Sequence, residues 1–236
     1  MKSYRLAFML FSVPLAGQAF GADSTLSANR SPVQGYADIT LMSSGVSRGR
    51  TINKGPVLQP TLKAIMGGFS AGVTANQPLA LKEGEQDQEI DLIADYTHAW
   101  DIFALTLSTL RADYPGTDWP QDQEVTLKGS FKVPFNPRLT ISRGVEGAPK
   151  DYSYYEISSR QEIYAKGGFA SSVGAALGYI DRPRDVDGFR HVTLTAAASY
   201  EALSASANYV IETDKKVNDL TDQSRFYMTT GATVLF

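Results

Sequence analysis

The sequence predicts an all-β protein: a transmembrane antiparallel up-and-down β-barrel of about twelve strands, both termini periplasmic. Three observations predict it. Apolar and polar residues alternate in stretches of near-even spacing from residue 36 onward, and helical periodicity is missing throughout. The connections alternate between short turns and longer loops rich in charge, Pro and Gly. The apolar faces carry aromatics near strand ends, and the opposite faces carry small and charged groups, as a girdled wall around a wet lumen requires.

The expected strands are residues 36–46, 56–66, 68–76, 87–99, 102–112, 122–133, 137–143, 151–164, 168–181, 189–200, 202–213 and 224–236. The first places Asp38 inward and the second Lys63, and the turn "MGGF" leads into the third, whose inward residues Ser70 and Gly72 are small. In the fourth, "EIDLIADYTHAW", Ile90, Leu92, Ala94, Tyr96, His98 and Trp100 point outward while Glu89, Asp91, Asp95 and Thr97 point inward. In water the carboxylate face would turn out; in a membrane the assignment reverses. The fifth turns Ala104, Thr106 and Ser108 inward. The sixth turns Val125, Leu127, Phe131 and Val133 out against Thr126, Lys128, Ser130 and Lys132. The seventh is short. The eighth holds Glu156 and Arg160 inward, and the ninth an inner face of Ala170, Ser172, Gly174, Ala176 and Gly178. His191 starts the tenth at the rim, Glu212 ends the eleventh, and Arg225 and Tyr227 open the inner face of the twelfth. Tyr155 and Tyr227, if inward, would close part of the lumen. Gly and Pro breaks in the first two stretches and the shortness of the seventh leave about ten or fourteen strands as alternatives.

Connections on one side, "MGGF", "HAWDI", "VPFNPR", "AKGGF" and "YEAL", are short; those on the other, such as "SRGRTINKG", "DYPGTDWPQD" and "TDKKVNDLTDQ", are longer and more polar. Short turns belong in the periplasm, and an even strand count puts both chain ends there. Strand twelve then closes on strand one and leaves no edge.

Lys2 and Arg5 precede the apolar run "LAFMLFSVPLA", and Gly17, Ala19, Gly21 and Ala22 offer cleavage points. The expected organisation is a signal peptide over 1–21, a periplasmic lead-in over 22–35 and the barrel over 36–236. A membrane anchor is the weaker reading because the run is shorter than the ~20 residues a spanning helix needs. Without Lys2 and Arg5 the formal charge moves from −3 to −5, a poor balance for nucleic-acid binding. The chain has no cysteine, which excludes disulfides, a lipidated cysteine and a thiolate metal site.

The stretches "SRGRTINKGPVLQPTLKA", "GGFSAGVTAN", "EIDLIADY", "ADYPG" and "DQEVTLKGSF" resemble a proteobacterial family of exported conserved proteins thought to be outer-membrane barrels, with no assigned activity. The likeness spans residues 43–132 and implies fold and location: the outer membrane of a Gram-negative bacterium. The family's opening motif carries aromatics just before its Arg-Gly pair, where this chain has Gly45 and Ser47. The final Phe236 looks like the sorting signal that delivers such proteins to the barrel-assembly machinery.

Chemistry-bearing motifs are few. With two histidines and neither a "GxSxG" elbow nor an "HExxH" run, no catalytic residue, metal or cofactor is expected, and the chain reads as a non-enzyme. His98 lies on the apolar face beside a turn. His191, as a base, would need a serine neighbour and a carboxylate. "EGEQDQEID" lacks the spaced ligands of a calcium loop. The inward charges read as a set: Asp38, Lys63, Glu89, Asp91, Asp95, Lys128, Lys132, Glu156, Arg160, Glu212 and Arg225. They either form a solute-selective constriction or simply neutralise one another. Arg48, Arg50 and Lys54, with Lys215 and Lys216, are expected at the outer rim near lipopolysaccharide phosphates. The function read from this is a narrow porin-like pore for small solutes, in contact with outer-membrane lipid. The alternatives are a non-conducting barrel that binds a ligand or envelope partner through its loops, and an outer-membrane lipid-modifying enzyme.

Overall fold

Twelve strands close into one antiparallel barrel, and two more form a separate small hairpin. The computed structural model describes residues 33–80, 88–182, 187–212, 217 and 225–236. The expected signal peptide, most of the lead-in, Lys215, Lys216 and most of the acidic "EGEQDQEID" segment lie outside these residues.

In chain order the strands are β1 (Gln34–Met42), β2 (Gly45–Ser47), β3 (Arg50–Asn53), β4 (Val57–Met66), β5 (Phe69–Pro78), β6 (Glu89–Ala99) and β7 (Phe103–Asp113). They continue as β8 (Asp122–Phe131), β9 (Arg138–Glu146), β10 (Ser153–Lys166), β11 (Phe169–Asp181), β12 (Gly188–Tyr200), β13 (Leu203–Glu212) and β14 (Phe226–Leu235). Each barrel strand pairs with its sequence neighbours, with β2–β3 skipped between β1 and β4. The twelve expected strands therefore correspond to the twelve barrel strands, and the alternatives of ten and fourteen are set aside. Both of these closing strands meet at one seam, where Tyr36 stands opposite Leu235 and Met42 opposite Thr229. Gly35 and Phe236 exchange backbone hydrogen bonds of 2.6 and 3.0 Å there. A Cβ on Gly35 would overlap the Phe236 ring, so the seam needs a glycine at that point.

The alternation sorts side chains as a membrane demands. Every barrel strand exposes at least one large apolar residue on the outside, among them Ile39, Leu62, Leu107, Ile157, Leu194 and Met228. Buried Asp38, Glu89, Asp91, Thr126, Ser142 and Asn208 face the interior. An aqueous protein would bury the first set and expose the second. At the short-turn end aromatic rings form a chain: Phe69 against Tyr96 at 4.5 Å, Trp100 against Phe103 at 5.5 Å and Phe103 against Phe131 at 4.9 Å. At the long-loop end Tyr155 meets Tyr179 at a tilt, 6.2 Å between centroids, and Tyr179 meets Phe189 edge-on at 5.4 Å. Two girdles with an apolar band between them are the anatomy of a transmembrane barrel. Tyr155 thus points outward, whereas Tyr227 is on the inner face and half-buried. Among the described residues no helix is long and apolar enough to cross a membrane.

Candidate functional site: a hairpin seated in the barrel mouth

The nine residues from Gly45 to Asn53 do not form an open loop. They form a tight hairpin, β2–β3, in which Ser47 pairs with Arg50 across a two-residue turn. Arg48 and Gly49 occupy that turn at φ of 48° and 74°. Positive φ at both central residues is the turn that matches strand twist, and it explains why Gly49 follows Arg48. The hairpin is folded into the barrel: Ser44, Val46, Ser47, Thr51 and Asn53 are all buried.

Across the lumen the turn meets strands β8, β10 and β12. Arg48 Nη2 donates to Glu124 Oε1 at 2.6 Å, with side-chain exposures of 12% and 1%. Its guanidinium also lies 4.5 Å from the centre of the Tyr154 ring. Burial works against the charge on Arg48, but Glu124, by charge and hydrogen bond, with Tyr154 and Glu156, leaves its pKa above the ordinary arginine value. This cation stays charged. The Arg48 reading is therefore corrected: it turns inward to a protein carboxylate, because the hairpin carries it over the lumen and Glu124 supplies the anion expected of lipopolysaccharide. Arg50 is half-buried in the same hairpin, and Lys54 alone of the three is exposed.

Proton accounting around His191 follows from its neighbours. Tyr154 Oη donates to Glu156 Oε2 at 2.8 Å, so it can only accept from His191 Nε2, also at 2.8 Å. His191 Nδ1 then accepts from the Thr193 hydroxyl at 2.9 Å. Both ring nitrogens are used. Gly49 covers the ring on one side and Gly178 on the other; a Cβ at either would collide with His191. The β11–β12 register shifts here, Gly178 pairing with His191 and Tyr179 with Phe189, so Arg190 is the extra residue of a bulge. Both Arg190 and His191 are buried as a result.

A second polar network joins β4, β5 and β6 at the same level: Gln59 donates to Asn76, which donates to Glu89 and Asp91 at 3.1 and 3.2 Å. Asp38 accepts from Thr40 and Thr233, each at 2.9 Å. Towards the short-turn end the packing loosens. On β6, Asp91 is 2% exposed whereas Thr97, on the same face, is exposed; on β8, Thr126 is 2% exposed whereas Lys128 and Ser130 are partly open. Lys63 meets Asp95 at 3.6 Å, and Arg160 Nε donates to Ser172 at 2.7 Å. The interior is thus a cup, roofed by the hairpin and open at the short turns.

Of the expected lumen charges, Asp38, Lys63, Glu89, Asp91, Asp95, Lys128, Glu156 and Arg160 face the interior. Lys132, in the turn after β8, and Arg225, just before β14, are exposed and lie one residue beyond the ends of their strands. The backbone of Glu212 pairs with His191, and its side chain lies outside the described residues. Residues the sequence reading passed over include Glu124 and Arg138, both inward by parity beside Val125 and Leu139, and Tyr154. Among the described residues no group of three or more His, Cys, Asp or Glu is placed to hold a metal ion.

The sequence matches no protein-family model and no curated protein. Similar solved structures include LpxR from Salmonella typhimurium, at 11% identity and TM-score 0.49, covering 85% of this chain and 100% of that one. OccAB3 from Acinetobacter baumannii is similar at 12% identity and TM-score 0.41, covering 89% of this chain and 66% of that one. A porin is similar at 20% identity and TM-score 0.36, covering 77% and 62%.

Proposed function

We propose that the protein is an outer-membrane barrel that passes small solutes through a narrow lumen, its short-turn end facing the periplasm and its long-loop end restricted by the β2–β3 hairpin. The observation that carries this reading is the gradient of accessibility along the inner wall: polar side chains are sealed beside the hairpin and wet below it. A barrel of about twelve strands lies between one filled by side chains and one holding an open channel, so a single inserted hairpin is enough to set its aperture. The hairpin is held by side-chain contacts to the far wall and by its two ends, so it can lift without breaking a barrel strand.

An enzyme reading built on His191 gains no support from the same geometry. Among the described residues both ring nitrogens of His191 are engaged, by Tyr154 and Thr193, and no serine meets it, while a Cβ on Gly49 would collide with the ring. A general base must reach a nucleophile or water. Loss of a lipase activity in the His191→Ala variant would reverse this reading.

Planar-bilayer recording of refolded protein tests the proposal. The whole chain should give small or infrequent currents, and a version with residues 45–53 replaced by a short turn should give larger, steadier ones. Absence of current from both, over a range of salt, would mean a sealed structural barrel.

A second reading, binding of an envelope partner through the outer loops, is favoured by the order of the β7–β8 loop. There Tyr114 is 5% exposed, donates to Asp122 at 2.7 Å and packs edge-on to Trp119. Deleting "DYPGTDWPQD" should then abolish partner binding and leave heat-modifiable folding intact.

A further inference from the structure

The lower wall of the cup carries more positive charge than it neutralises. Lys63, Lys128, Arg138 and Arg160 face the lumen from β4, β8, β9 and β10, against the carboxylates of Asp95 and Glu156. Asp95 is engaged by Lys63 and Ser70, and Glu156 by Tyr154. Asp38 sits higher, 5% exposed and held by two threonines. Exposed Glu162 lies two residues further along β10 from Arg160, towards the rim.

The side chains of Lys128 and Arg138 close no hydrogen bond or ion pair with any described residue. They are nevertheless neighbours. Ser130, two residues along β8 from Lys128, pairs with Arg138, and Arg138 pairs in turn with Ser158, two residues from Arg160. Lys128 feels Asp95 as an attracting charge and Arg138, Lys63 and Arg48 as repelling ones, and Arg160 feels Arg138 as repelling. Like charges gathered on one half-sheltered wall are unfavourable unless an anion joins them. Between them lie hydroxyl donors, Ser130, Thr140 and Ser158, on the same inner face.

We infer that Lys128, Arg138 and Arg160 form a binding site for a small solute bearing carboxylate or phosphate groups, entered from the short-turn end. Guanidinium forks donate to such oxygens in pairs, the ammonium supplies a point charge, and the hydroxyls complete the donors. The inference deepens the pore reading by naming the class of solute. It rests on the part of that reading in which the cup is wet from the short turns, and not on conduction itself.

Titration calorimetry of the refolded whole chain in detergent, at low ionic strength, with inorganic phosphate and with citrate as probes, tests it. At least one probe should bind saturably. The double variant Lys128→Gln/Arg138→Gln should bind about tenfold or more weakly, the loss expected from removing charge-assisted hydrogen bonds. Asp95→Asn, which deletes a competing carboxylate, should bind about threefold more tightly, since partly screened charges interact by a fraction of a tenfold step. Lys132→Gln, at the rim, should bind like the parent. Heat-modifiable migration reports that each variant is folded. No saturable binding of either probe, or equal affinity in the folded double variant, overturns the site, as does an equal loss in Lys132→Gln. Binding without bilayer current would sink the pore and keep the site; current without binding would do the reverse.

Discussion

Replacing Arg48 by methionine should unseat the hairpin and raise conductance. The guanidinium lies 2.6 Å from a Glu124 carboxylate whose side chain is 1% exposed, and Arg48 itself is 12% exposed. Methionine keeps most of the aliphatic stem, so contact with the Tyr154 ring is largely retained while the charge goes. Glu124 then keeps the Thr126 hydroxyl at 2.9 Å but no longer has Arg48 as its counter-ion. Removing one partner of a buried pair costs about 3–5 kcal/mol. Part of that is recovered because water reaches Glu124 as the hairpin lifts. If about 2 kcal/mol remains to favour the lifted state, the docked-to-lifted ratio falls by about thirtyfold. Single-channel recording in symmetrical salt reads this as open probability, with an increase of about tenfold or more expected on that arithmetic. Glu124→Leu combined with Arg48→Met leaves no stranded charge and should return part of the way, since replacing both members of such a pair by apolar groups is close to neutral. A folded Arg48→Met barrel with unchanged open probability and unit conductance would refute the claim that this ion pair holds the roof.

Three further outcomes follow from the same geometry. Gly49→Ala forces a residue at φ 74° to carry a Cβ that collides with His191, so the hairpin should detach; as the chain has no cysteine, a Val46→Cys reporter should react with a membrane-impermeant maleimide quickly in that background and slowly in the parent. Burial, with the charges of Glu89 and Asp122, pushes the Tyr114 phenol far above its ordinary value, so it remains a donor to Asp122 at every working pH; Tyr114→Phe should lower stability by about 1 kcal/mol and speed proteolysis of the β7–β8 and β9–β10 loops, which Asp122 ties together through the Ala148 amide at 2.7 Å. Leu107→Lys, on the outer band opposite Leu127, should cost about 2–4 kcal/mol and reduce the heat-modifiable folded fraction, whereas Thr106→Glu, facing the lumen opposite Lys128, should fold normally.

The wall of the barrel was legible because its physics is periodic. In "EIDLIADYTHAW" the alternation of Ile90, Leu92 and Ala94 with Glu89, Asp91 and Asp95 assigns two solvents to two faces, and the strand ends fell within a few residues of the observed ones. The roof was not legible. "SRGRTINKG" reads as a polar loop because hairpin β2–β3 is short and its apolar content small, and nothing in a single sequence says that Arg48 will find Glu124, 76 residues away. Parity also fails where the backbone inserts a residue: Arg190 next to His191 would be assigned outward, and the bulge against Gly178 and Tyr179 buries both. Arg138, by contrast, could have been read from Leu139 and Ile141; the shortness of the expected seventh stretch hid it.

The position of the hairpin between β1 and β4 carries a consequence for assembly. Its anchor points on β8, β10 and β12 do not stand opposite it until the sheet has curled and the β1–β14 seam has zipped. Docking therefore requires the closed wall: until the seam forms, the contacts that hold the hairpin over the mouth cannot be made. On the pore proposal, a cylinder held short of that docking would conduct more than the docked one.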